Sequence, residues 1–397
     1  MSVEPAPSAA PPAEPTPIYL DHNATTPVRE EVLAVVAETS RRAFANPNSR
    51  HAAGRAARRV LEDARETIAD ALGAGADEVI FTSGGTEATN LALRGLTGGT
   101  GDAALLSFAG EHSATSETVA ALARDGIDVQ TLPLDADGRW DLAVLRDRLA
   151  DTVGVRVVTG LWANNETGVV QDVASAAAVC AESGVPLHLD GVQAIGKLPP
   201  EEAAFPASGA TAVSLGGHKF GGPVGIGALL LRRGTALAPL MTGGLQEREL
   251  RPGTQAVALA AGFAKAVAIW KETAADGLAR AATLRDRLEQ GLEAACGPVV
   301  VHGRGAPRLA NTANVGFPGV PGEMLLVTLD LEGVCVSMGS ACRSGALEPS
   351  PVLLATGVDA DLAMSSVRFS LGATTTADEV DEAVARVSSA VMSLREG

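Results

Sequence analysis

The sequence predicts an α/β protein: a mostly parallel sheet with helices on both faces, followed by a smaller α+β part. Three observations predict it. Between residues 78 and 190 short apolar strands alternate with helical stretches, as repeated βα units require. Polar clusters fall where those strands end, the place at which open parallel sheets hold ligands. From about residue 265 the pattern changes to long Ala-rich helices with short strands between them.

Composition narrows the class. The 397 residues are enough for two domains and a sizeable core, and 46% hydrophobic with 20% charged residues fits a soluble globular chain. No unbroken run of about 18 apolar residues occurs, so a membrane span is not expected. The formal charge of −16 repels nucleic acid phosphates, which disfavours direct binding of DNA or RNA. The one basic cluster, Arg50, Arg55, Arg58 and Arg59, has helical spacing and reads as a solvated face or an interface. Four cysteines, Cys180, Cys296, Cys335 and Cys342, are too few for a disulfide framework in so long a chain, and the cytoplasm is the expected compartment.

In order along the chain, residues 1–17 are rich in Ala, Pro, Ser and Glu and read as a disordered tail, not a signal peptide. Ile18 to Leu20 form a short apolar run that ends in the polar turn Asp21–Thr26, and Pro27 opens a helix at 28–43. A second helix is expected over 51–72 and a buried strand over 78–81. That strand runs into Thr82-Ser83-Gly84-Gly85-Thr86 and a helix. Strand, glycine turn and helix N-terminus make an anion site, where unpaired N–H groups and the positive dipole end face one point. The same residues would also serve as an ordinary helix cap.

Strands at 103–108, 127–132, 155–161 and 185–190 then alternate with helices at 114–125, 141–150 and 172–183. Glu111-His112, Asn164-Asn165 and Asp190 to Gln193 lie at the strand ends. Beyond 260, helices are expected at 260–275, 277–295 and 376–394, with strands at 298–302, 312–317, 334–338 and 366–370. The expected division is a large domain over 28–264 and a small α+β domain made of 18–27 and 265–397.

Function centres on residues 214–227, Ser-Leu-Gly-Gly-His-Lys-Phe-Gly-Gly-Pro-Val-Gly-Ile-Gly. Taken alone this is a glycine-rich turn with a solvated lysine. Glycines, however, let a flat ligand approach Lys219 closely, and a desolvated lysine forms Schiff bases with carbonyl compounds. Asp190, at the end of an apolar strand some thirty residues earlier, is a turn former on its own. Beside such a lysine it becomes a partner for the pyridinium nitrogen of pyridoxal phosphate (PLP).

The stretches YLDHNATTP, FTSGGTEATNLAL, EHSA, NNETGVVQD, HLDGVQAIGKLP, GGHKFGGPVGIGAL, RPGTQ, GSACRSGALEPS and SVRFSLG occur in this order over residues 18–394. In them the chain resembles the cysteine desulfurases, the branch supplying sulfur for nitrogen-fixation and iron–sulfur assembly, within the class V aminotransferases. The resemblance implies the PLP-dependent transferase fold type I, with a seven-stranded-type sheet in the PLP-binding large domain.

It also implies roles. Lys219 would hold PLP as a Schiff base and later move protons at the substrate Cα. Asp190 would pair with the pyridine nitrogen, Gln193 would bond the phenolic oxygen, and His112 would stack on the ring and act as acid or base. Gly85, Thr86 and His218 would hold the phosphate, and Thr254 would reach the phosphate of a neighbouring subunit, implying a homodimer. Asn165 would contact cofactor and substrate, and Arg368 would grip the α-carboxylate of L-cysteine. Cys342, in a hydroxyl-rich loop beside Arg343, would attack the substrate sulfur and carry a persulfide to an acceptor protein: an iron–sulfur scaffold, a thiolation partner or a DNA sulfur-modification partner. The longer form of this loop matches the first desulfurase group.

Three positions depart from the pattern. Gly216 stands where a phosphate-binding serine is common, Leu245 replaces a glycine before Arg251-Pro252-Gly253-Thr254, and Ser113 follows His112. Alternatives within the fold are a selenocysteine lyase, a C–S lyase releasing sulfide, an aminotransferase and a kynureninase-like enzyme. Cys342 argues against free release of sulfide and has no task in the last two. A scaffold without turnover would be expected to lack one of Lys219, Asp190, His112 or Arg368, and all four are present.

Overall fold

The computed structural model describes residues 16–98, 103–338 and 348–396. Most of the expected tail and the loop with Cys342 and Arg343 lie outside the described residues. Twelve strands are described: β1 (Ile18–Tyr19), β2 (Val79–Thr82), β3 (Ala104–Phe108), β4 (Asp128–Leu132), β5 (Val155–Leu161), β6 (Leu187–Asp190), β7 (Ala212–Gly216), β8 (Gly227–Leu231), β9 (Val300–Val301), β10 (Thr312–Gly316), β11 (Val334–Cys335) and β12 (Ser366–Ser370).

Seven of them form one sheet in the order β2-β8-β7-β6-β5-β3-β4. Pairs β4–β3, β3–β5, β5–β6 and β6–β7 are parallel, and β8 alone runs against its neighbours β7 and β2. The inner strands are apolar at nearly every position because helices cover both faces and leave no solvent side to alternate towards. All residues of β3, β6, β7 and β8 are buried. A three-stranded antiparallel sheet, β12-β10-β9, and the parallel pair β1–β11 make up the rest.

The expected helices are present with ends shifted by one or two residues, several of them fixed by local caps. Asp141 accepts from the amides of Ala143 and Val144, and Asp172 from that of Ser175. Several elements exceed the expectation: β8, a helix over Gly322–Leu331, and short helices over Phe205–Ser208, Pro351–Ala355 and Ala360–Met364.

One expectation is corrected. The helices at 260–275 and 277–295 are a single helix of 39 residues, Val257–Ala295. Gly277 does not break it, since an interior glycine costs only about 1 kcal/mol against alanine and both flanking halves are packed. The first half buries Phe263, Val267 and Trp270 in the main core. The second half buries Leu284, Leu288 and Leu292 with Ile18, Leu20, Phe317 and Phe369 in another. A division at 264/265 would cut this helix; core membership changes further on, between Leu278 and Leu284.

Candidate active site

The carboxyl ends of β2, β3, β5, β6 and β7 all open on one side of the sheet. Around a cavity of about 250 Å³ there they bring together Gly85, Thr86, His112, Asn165, Asp190, Gln193, His218 and Lys219. Eight of the eleven residues singled out from the sequence therefore meet at one place.

At one end the helix Gly85–Thr97 begins, and its first-turn N–H groups have no intrahelical partners. A Cβ on Gly85 would come within 2.4 Å of Val192 Cγ2, so only glycine lets this helix end approach the loop after β6. Glu87 in the same turn is taken up elsewhere: it accepts from the Ser83 amide (2.8 Å) and pairs with Arg251 (2.8 Å). That leaves the end of the cavity free of a competing carboxylate. His218 shares a hydrogen bond with Thr25 Oγ1 (3.1 Å), and burial lowers its pKa to about 4.

Along the floor, Asp190 is buried and accepts from the Val192 amide (3.0 Å). Burial raises its pKa, only partly offset by His112, the Val192 amide and the charge of Lys219. His112 caps its own helix by accepting from the Ala114 amide at Nδ1 (3.1 Å). Nδ1 is then the acceptor, and the neutral ring carries its proton on Nε2. Burial also lowers the His112 pKa, keeping that tautomer neutral.

At the far wall, Lys219 donates to the backbone carbonyls of Asn23 and Ala24, each at 2.9 Å. Burial, then repulsion from Arg368, lowers its pKa to about 8. Asn165 belongs to a turn in which Asn164 Oδ1 accepts from the amides of Glu166 (2.9 Å) and Thr167 (3.0 Å). The buried Oδ1 of Asn165 has no partner. An unpartnered buried acceptor, a buried carboxyl of raised pKa and an amine of depressed pKa in one cavity are the polar demands that a pyridinium aldehyde phosphate meets, so the residues fit PLP.

Arg368, on β12, reaches the wall from the second core. Its Nη1 donates to Asn165 O (3.1 Å) and its Nη2 pairs with Asp21 (2.7 Å), while Nε is buried without a partner. Thr254 is exposed and outside this cavity. Cys342 is not among the described residues; the three other cysteines are, and burial pushes Cys180 up to about 12 and Cys296 to about 11, and raises Cys335.

The family model for aminotransferase class V matches residues 18–383. An IscS-like cysteine desulfurase of Mycobacterium tuberculosis is 44% identical over 384 residues, 95% of this chain and 97% of the relative. The chain belongs to the cysteine desulfurases of the class V aminotransferase family. Members of this family are PLP enzymes. Among solved structures, a NifS-like protein matches this desulfurase with a TM-score of 0.87 at 32% identity, over 96% of this chain and 100% of the other. The structure titled SspA in complex with cysteine matches with a TM-score of 0.79 at 30% identity, over 90% and 99%.

The sequence reading missed the residues behind Lys219. Asn23, Lys197, Asn311 and Thr312 hydrogen-bond one another or Asn23 there, and Asp21 holds Arg368. Asn23 and Lys197 lie within quoted motifs, but nothing local marks them, since their partners are up to 347 positions away.

Proposed function

We propose that this desulfurase binds PLP in the cavity at Lys219, transfers the sulfur of L-cysteine to Cys342, and releases L-alanine. The convergence of Lys219, Asp190 and His112 on one cavity carries this reading. Bound there, PLP would supply an electron sink for negative charge developing at the substrate Cα. Gly85, Thr86 and His218 would hold its phosphate, Asp190 its ring nitrogen, and Gln193 its phenolic oxygen.

The chain's own residues divide the remaining work. Lys219, with a pKa near 8, is neutral in an appreciable fraction at physiological pH and can take the Cα proton. His112 offers an Nε2 proton without carrying charge. Arg368, fixed by Asp21 and Asn165, and the open Oδ1 of Asn165 face the substrate carboxylate and amine. The C–S bond of cysteine breaks and an S–S bond forms on Cys342, while the carbon skeleton gains the proton that completes alanine. The thiols of Cys180, Cys296 and Cys335 are held protonated by burial, which leaves Cys342 as the nucleophile.

The acceptor is a protein, with iron–sulfur assembly, thiolation and DNA sulfur modification as the candidate destinations. A cytoplasmic homodimer fits this role. Phe44 is 78% exposed, Val224 67% and Leu245 76%, and exposed Thr254 lies near Leu245 in sequence, so a second copy would cover apolar surface and receive Thr254. Among the described residues no helix is long and apolar enough to cross a membrane.

Intact-mass measurement after treatment with L-cysteine tests the reaction. One added sulfur atom, removable by reductant, mapped to Cys342 and lost in Cys342→Ser, is the expected result. Sulfur mapped elsewhere, or full alanine production by Cys342→Ser, would overturn it.

A further inference from the structure

The chain contains only four lysines, Lys197, Lys219, Lys265 and Lys271, and two of them, the buried Lys197 and the half-buried Lys219 of the cavity wall, line one further pocket together. Lys197 has no place in the chemistry above. Its Nζ donates to Asn23 Oδ1 (2.6 Å) and to Gln193 Oε1. Burial, and then repulsion from Lys219 and Arg368, drives its pKa well below the ordinary lysine value. These two oxygens make Lys197 a hydrogen-bonding strut between two side chains.

Asn23 is the other half of the device. Its Nδ2 donates to Thr312 Oγ1 (2.9 Å) and Asn165 O (3.1 Å), its Oδ1 also accepts from Asn311 Nδ2 (3.2 Å), and its backbone N–H donates to Ser370 Oγ (2.9 Å). Its backbone carbonyl then accepts from Gln193 Nε2 and from Lys219 Nζ, both at 2.9 Å. Every polar atom of this residue is thus engaged, and the engagement fixes the carbonyls of Asn23 and Ala24.

We propose that Asn23 and Lys197 are positioning residues that build a seat for the Lys219 amine whenever it is not bonded to the cofactor. The proposal rests on Lys219 being the PLP tether, because such a lysine must be released by the incoming substrate amine and recaptured in each turnover. A released amine on a four-carbon stem would otherwise sample many rotamers, and small misplacement of a reacting group lowers rates steeply. Two carbonyls at 2.9 Å hold it in one place, and the Asn23 network holds the carbonyls.

The test reads the lysine directly. The full-length chain, freed of cofactor, is labelled with acetic anhydride between pH 6 and 10, and each lysine is followed by peptide mass spectrometry. Asn23→Ala and Lys197→Met are expected to raise the pH-independent labelling rate of Lys219 about threefold or more, with Lys271 unchanged as the internal reference. In the PLP-loaded enzyme the same variants are expected to lower kcat about tenfold while KM for L-cysteine stays within about twofold, because the seat touches Lys219 and not the substrate. Thr312→Val should shift Lys219 labelling in the same direction, and Thr312→Ser, which keeps the hydroxyl, should restore it; this pair decides the matter if Lys197→Met does not fold. Unchanged Lys219 labelling in folded Asn23→Ala and Thr312→Val would overturn the proposal. Failure of the unmutated chain to bind PLP at Lys219 would instead remove the tether reading, whatever the labelling shows.

Discussion

The two ends of the cavity are built in opposite ways. The end at Gly85 is made of consecutive residues: a strand, a glycine turn and the first turn of a helix, whose N–H groups are available because helix geometry leaves them so. The wall at Lys219 is assembled from the segments around residues 23, 165, 193, 197, 219, 311 and 370, joined by side-chain hydrogen bonds. A local site tolerates loss of one member, since the remaining N–H groups stay in place. An assembled site fails more sharply, because each buried group left without its partner costs about 1–3 kcal/mol, and more if charged.

The largest effect is expected where assembly also supports strain. Glu247, Arg248 and Glu249 all have positive φ, at 45°, 57° and 68°, an unfavourable run for residues other than glycine. Glu247 is held by a buried two-pronged pair with Arg65 (2.7 and 2.8 Å) and accepts from the Phe81 amide (2.9 Å). Glu247→Gln takes away the buried partner of Arg65 and leaves it only the partly exposed Glu62 at 3.0 Å, so it should destabilise the fold by about 3 kcal/mol, read from the urea midpoint. A loss under about 1 kcal/mol would mean that the segment supports itself.

Next in size, Arg368→Lys keeps the charge but loses the fork that spans Asp21 and Asn165. It should lower kcat/KM for L-cysteine about 100-fold, roughly 2.7 kcal/mol, mainly through KM. Near-normal KM would show that the wall works as a point charge and not as a geometry.

Acid should expose the same contrast over the whole molecule. Burial depresses the pKa values of His22 to about 4, His188 to about 3 and His302 to about 4, and lowers that of His112. Below the ordinary histidine pKa near 6.5 the unfolded chain binds protons that the folded chain refuses, so stability falls as pH drops from about 6.5 towards 4. Burial raises Glu111, Glu166 and Asp190, which acts in the opposite sense. The depressed histidines outnumber the raised carboxyls, so the net slope follows the histidines. The urea midpoint should therefore be lower at pH 5.5 than at 7.5; a higher midpoint would give the carboxyls the larger weight.

The smallest effect is a gain at the local end. A Cβ on Gly216 would meet the Gly85 amide nitrogen and Val192 Cγ1 at 3.6 Å, ordinary contact distances. Gly216→Ser should fit without strain and add a hydroxyl beside the helix N-terminus, tightening PLP binding about fivefold, near 1 kcal/mol, in a fluorescence titration. No change in affinity would indicate that the helix N–H groups already saturate the phosphate.

How far the site could be read from the sequence follows this division. Thr82–Thr86, Asp190, and His218 with Lys219 were legible because strand ends and glycine turns are written in neighbouring residues. Asn23 and Lys197 were printed within quoted motifs yet carried no signal of their own: an asparagine after a histidine reads as a turn, and a lysine before Leu-Pro-Pro reads as solvated. The single helix Val257–Ala295 escaped for a related reason, since Gly277 looks like a break until the cores on both halves are seen.

By itself the sequence determined the α/β order, the strand ends on which the chemistry would sit, and the family to which the chain belongs. Hydrophobic period, glycine placement and contiguous motifs are local properties. Only the tertiary structure decided that two of four lysines share one wall, that Asp21 steadies Arg368, and that one asparagine joins both of those lysines to Thr312 and Ser370. Those contacts join residues up to 347 positions apart, and a buried polar group finds its partner through the folding of the whole chain and not through its neighbours in sequence.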